Sequence, residues 1–189
     1  MMDDGVLLAD FRGIAEEYVA LIDRVEDGET LLARLASALP TLYSTAAKLP
    51  DVQPEGGDEP KPESRFEDWQ LVRGRLDRLL GDRDLYWTVD PSGAAVPEPV
   101  AGSLSDDLAD IYLDVNEGLT LLGAGGPEVD AVWEWRSSFW SHWGVHAADA
   151  IRVIHRDKIK DISNLTALVL VEELERRVTK SLARASQKG

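Results

Sequence analysis

The chain has 189 residues, 44% hydrophobic and 29% charged, the balance of a soluble globular protein long enough to bury a core. It contains no cysteine, which excludes disulfide frameworks, thiolate metal sites and cysteine nucleophiles. A formal net charge of −15 argues against duplex DNA or RNA as a partner, because phosphate binding needs a basic footprint.

The opening MMDDGVLLADF carries two acids where a signal peptide needs a basic region, and no apolar run reaches membrane-spanning length. A cytoplasmic protein without membrane contact is expected. From Asp4 to Glu26, Leu7, Phe11, Ile14, Ala15, Tyr18, Leu21, Ile22 and Val25 fall on one face of a helical wheel, which predicts a first helix stopped at Gly28. A second helix is expected from Glu29 to Leu49 through Leu31, Leu32, Leu35, Leu39 and Leu42, with Pro40 kinking or splitting it near Leu39. The stretch PDVQPEGGDEPKPES then reads as a mobile linker at about residues 50–64.

Ser64 and Glu67 form a capping-box pattern that opens a third helix, with Phe66, Trp69, Val72, Leu76, Leu79 and Leu80 as its stripe and Gly81 as its stop. LYWTVDPSGAAVPEP combines a β-prone run, a D-P-S-G turn and prolines, so a short hairpin or loop is expected near residues 85–96. Ser103 and Asp106 suggest a second capping box before a fourth helix that reaches Leu122. GAGG ends it, Pro127 suits the first turn of a long fifth helix to about Asp157, and a sixth is expected from Ser163 to Ala185. The fold class is all-α, a bundle of about six helices with short connections. Residues 1–160 form the bundle domain, and 161–189 a C-terminal helix that docks or serves association. The charge divides similarly: residues 1–149 hold 30 acids and 11 bases, a net −19, and residues 150–189 hold 5 and 9, a net +4.

The segment WEWRSSFWSHWGVHAADAIRVIH, residues 133–155, concentrates tryptophan, arginine and histidine. At 100° per residue, Val129, Val132, Trp133, Phe139, Trp140, Trp143, Ala147, Ala150, Ile151 and Ile154 share a core face. Arg136 projects from that face, and a guanidinium there needs a carboxylate or several carbonyls. The fourth helix offers an acidic stripe of Asp107, Asp110, Asp114 and Glu117. Arg136 is therefore either a structural bridge to that stripe or a cleft residue holding an anionic ligand. His142 and His146, at i and i+4, are either hydrogen-bonded to carboxylates or two ligands of a metal whose third would come from Asp110, Asp114 or Asp149. H-x-x-x-H lacks the adjacent glutamate of H-E-x-x-H, so no bound metal or other cofactor is expected. His155 lies off the stripe, at the surface. There is no glycine-rich phosphate loop and no G-x-S-x-G elbow, and GAGG lacks the spacing of a dinucleotide fingerprint, so no catalytic residue is assigned.

PVAGSLSDDLADIYLDVNEGLTLL followed by AVWEWRSSFWSHWGVHAADAIRVIH closely resembles a bacterial domain-of-unknown-function family of small helical proteins, DUF family 5063. LPTLYSTAAKLP is similar to its N-terminal part, and the likeness spans roughly residues 6–155. The family brings no activity. The resemblance implies that Asp106, Asp107, Asp110, Arg136, His142 and His146 belong to its characteristic motifs, and supports a shared site on helices four and five. The expected function is protein–protein contact with an unidentified partner or a second copy, rather than catalysis. The alternative is a small-molecule or metal-dependent binding protein, or an enzyme, using Asp107, Asp110, Asp114, Arg136, His142 and His146.

Overall fold

The apolar stripes become helices in the computed structural model, which describes residues 4–56, 64–89, 99–158 and 176. Helix α1 (Asp4–Arg24) buries Phe11, Ala15, Tyr18, Leu21 and Ile22. Asp27 caps α2 (Gly28–Ala46) by accepting from the Thr30 N–H at 2.8 Å, which satisfies a donor that a helix start leaves unpaired. Pro40 does not split α2, which runs through it as one helix with Leu39 and Leu42 fully buried on either side of the proline. Packing of that stripe outweighs the missing backbone donor.

Helix α3 (Ser64–Leu80) runs through one 3₁₀ turn (Gly81–Arg83) into β1 (Leu85–Val89), which pairs antiparallel with β2 (Pro99–Ser103). Tyr86 lies opposite Gly102 and Trp87 opposite Ala101. The second strand begins past the expected limit at residue 96, and the D-P-S-G turn lies outside the described residues. Asp84 anchors this sheet. Its buried carboxylate accepts from the Ser105 N–H at 2.6 Å and the Ser103 hydroxyl at 2.9 Å, while its carbonyl accepts from the Leu104 N–H at 2.8 Å. Helix α4 (Leu104–Gly123) follows at once, capped by Ser103, whose Oγ accepts from the Asp106 N–H.

The fifth helix departs from the wheel. It starts as α5 (Glu128–Ser138), widens into a π-helical segment (Phe139–Trp143) and returns to α-helix over residues 144–158. The Gly144 N–H reaches back five residues to the Phe139 carbonyl. A Cβ on Gly144 would overlap that carbonyl, so the turn needs glycine. The segment absorbs one residue more than an α-turn, and upstream of it the buried face sits one position earlier than a uniform wheel places it. Trp135 is fully buried, Trp133 is only partly so and Trp140 is 62% exposed, correcting the expected core positions of Trp133 and Trp140.

Helix α4 lies centrally, packed against α1, α3 and the fifth helix, with α2 on α1. Two polar bonds cross this core: the Tyr18 hydroxyl donates to the Leu108 carbonyl at 3.1 Å, and the Trp135 indole to the Val115 carbonyl at 2.8 Å. The Trp135 ring meets Phe11 edge-on at 4.9 Å. The chain divides into two units, Met1–Val153 and Ile154–Gly189. In the second, residues 154–158 and 176 are described and are helical, and His155 is exposed. The expected sixth helix otherwise lies outside the described residues. Mainly α with one small sheet, the described chain has the fold class read from its sequence. No helix among the described residues is long and apolar enough to cross a membrane.

Candidate functional site

Asp107, Asp110 and Asp114 stand at i, i+3 and i+7 on α4, so they line one edge of the helix beside its core stripe. Asp107 and Asp114 are buried and Asp110 is partly so. Buried carboxylates demand partners, and three other elements supply them. From the fifth helix, His142 Nδ1 lies 2.7 Å from Asp114 Oδ2 and His146 Nδ1 lies 2.8 Å from Asp107 Oδ1. From the sheet, the Tyr86 hydroxyl donates to Asp107 Oδ2 at 2.6 Å. From α3, the Trp69 indole donates to Asp110 Oδ1 at 2.9 Å, Arg73 pairs with Asp106 at 3.0 Å, and Arg65 bridges Asp114 and Glu117.

Tyr86 reaches Asp107 because its cross-strand partner is Gly102. A Cβ at residue 102 would lie inside the Tyr86 ring, so only glycine lets that ring lie across the strand pair. Arg152, paired with Asp149 at 3.1 Å, stacks over the same ring at 5.6 Å. Asp149 is thereby engaged on its own helix.

The two histidine rings meet edge-to-face at 5.0 Å, as residues one helical turn apart do. An ionised carboxylate can only accept, so each Nδ1 carries a proton, and in the neutral ring Nε2 is left with the lone pair. His146 Nε2 lies 3.5 Å from Asp110 Oδ2, longer than a normal hydrogen bond. The hydrogen bond to Asp107 raises the His146 pKa, against the opposing pull of burial. Burial pushes the carboxyls of Asp107 and Asp110 upward, partly offset by the histidines facing them. It raises Tyr86 too, with the bond to Asp107 acting in the same direction. Imidazoles held in a fixed tautomer beside a carboxylate can relay a proton or ligate a cation.

Of the residues singled out from the sequence, Asp107, Asp110, Asp114, His142 and His146 stand together, and Arg136 stands elsewhere. Arg136 donates to the Leu49 carbonyl at 2.9 Å and lies 3.6 Å from the exposed carboxylate of Asp51, so the expected bridge to the α4 stripe is not what it makes. The π segment is the reason: Trp135 takes the core position that the uniform wheel gave to residue 136. Tyr86, Arg65 and Arg73 are not singled out by the sequence, and Trp69 is read there only as part of the α3 apolar stripe. A signal for three of them was present, since Arg65, Trp69 and Arg73 repeat every four residues, and so do Asp106, Asp110 and Asp114 opposite them.

The crystal structure of protein BF1032 from Bacteroides fragilis is similar over 79% of this chain and 90% of its own, at 25% identity and a TM-score of 0.67. No curated protein matches the sequence. Residues 6–160, which hold the carboxylate–histidine site, match the family model described as "Domain of unknown function (DUF5063)", and the chain belongs to that family.

Proposed function

We propose that this protein binds a small cationic ligand along the seam between α4 and the fifth helix. One observation carries the reading: a row of carboxylates is held against two histidines through their Nδ1 atoms, and the His142 side chain remains 47% exposed. Along the seam, Asp106, Asp107, Asp110, Asp114 and Glu117 face the arginines Arg65 and Arg73. The acids exceed the guanidinium charges, which favours a cation over an anion.

A melting-temperature screen of metal ions and organic cations tests this, because a ligand specific for the native state must stabilise it. The expected result is at least one ligand that raises the melting point of the wild type and not of Asp110→Asn. The reading fails if every shift persists in that variant, or if no ligand produces one.

A second reading, association with a protein partner or another copy, is favoured by the outer face of the hairpin. Leu85, Trp87 and Val89 are 73%, 71% and 46% exposed on one side of β1. Apolar residues clustered this way commonly mark contact surfaces. Light scattering across a concentration series would then show association in the wild type that Trp87→Ser abolishes; a monomer throughout would rule out self-association.

A further inference from the structure

The geometry points to the cation as one divalent transition-metal ion, ligated by Asp110, His142 and His146. This rests on the cationic-ligand reading above and gives it a chemical class. Each of the three residues offers one ligand atom, and these atoms lie within 4.8 Å of one another. An ion at about 2.0–2.2 Å from each donor needs them about 3–3.5 Å apart, so the most separated pair must close by up to about 1.5 Å, within reach of side-chain rotations.

The surrounding bonds are those that a metal site uses to aim its ligands. His142 and His146 each spend Nδ1 on a buried carboxylate, Asp114 and Asp107, and this leaves Nε2 as the donor. Asp110 gives Oδ1 to the Trp69 indole and turns Oδ2 towards His146 Nε2. All three ligands are therefore oriented from outside by a partner on a different element. His142 also lies in the π segment, an irregularity often retained where a helix carries function. Two imidazoles and one carboxylate on one side of an ion leave positions open to water or substrate. Nitrogen donors select borderline ions such as Fe²⁺, Co²⁺ and Zn²⁺ over Mg²⁺ and Ca²⁺, which prefer oxygen.

Cobalt titration of the chelator-treated full-length protein reads this directly through visible absorption. One Co²⁺ per chain is expected, displaced by Zn²⁺ and not by a large excess of Mg²⁺. His142→Ala and His146→Ala should each weaken binding by more than about 100-fold, whereas Asp107→Asn should keep the stoichiometry and weaken it about 10–100-fold through loss of aim alone. Circular dichroism checks each fold, and His142→Ala, half-exposed, decides the matter if His146→Ala does not fold. Absence of stoichiometric Co²⁺, or Co²⁺ binding unchanged in His142→Ala, overturns the metal inference. If an organic cation then still stabilises the protein through Asp110, the broader reading stands without the metal; if nothing does, both fall.

Discussion

Asp107 serves the fold and the site with the same two oxygens, one bonded to Tyr86 and the other to His146. Replacing it with alanine would leave a tyrosine hydroxyl and an imidazole unpaired in a partly buried setting, and Asp107→Ala is expected to cost roughly 2–4 kcal/mol. Arg136 belongs to the other extreme. Its contacts are one carbonyl and one exposed acid, so Arg136→Met should cost only about 1 kcal/mol. Urea melts of the two variants test this ordering, and equal losses would contradict it. Asp27 gives a prediction in pH. The Thr30 N–H holds its carboxyl below the usual carboxylate range, so its folded pKa lies under its unfolded one. Its contribution is then present above about pH 4 and disappears as pH falls through the folded value. The stability difference between wild type and Asp27→Asn should shrink as pH is lowered through the acid range. A constant difference would mean that the charge of the cap does nothing.

At the scale of elements, the irregular turn in the fifth helix is the feature most exposed to a single substitution. Gly144→Ala forces a methyl group against the Phe139 carbonyl and should cost about 1–3 kcal/mol as overpacking. Gly13→Ala, in open space on α1, is the control and should gain up to about 1 kcal/mol. Thermal melts that move both variants in the same direction would refute this account of the turn. The same turn marks where sequence reading ended. Apolar periodicity is enough for the existence of α1, α3 and α4, with the Ser103 cap marking the start of α4, and for Asp107, Asp110 and Asp114 as one edge, because those helices are regular. A wheel cannot register an inserted residue, so Trp133, Trp140 and Arg136 were given positions that the protein does not use. The proline in α2 reads locally as a kink or a split, and the burial of Leu39 and Leu42 around it is what keeps the helix unsplit. Tyr86 was hidden because its role depends on Gly102, across a strand pairing that a proline-rich segment only hinted at.

At the scale of the molecule, α4 touches α1, α3, the fifth helix and the sheet, and it should be the last element to open. Hydrogen exchange is expected to be slowest over residues 108–115 and fast over the paired strands. Slow exchange in the strands instead would show that their apolar outer face is covered in solution. The central position of α4 also bears on how the family is to be compared. Because the helix at the heart of the bundle also carries the carboxylate row, a lineage without the proposed ligand would still be held to Asp107 and Asp114 by the need to stay folded. Asp110, less buried and closer to the open edge of the histidines, is tied to the fold by the single bond from the Trp69 indole, a lighter hold than the two bonds on Asp107 or Asp114. The presence of the whole aspartate row in a relative would therefore attest to a folded protein, and descent with a working site would be better judged at residue 110.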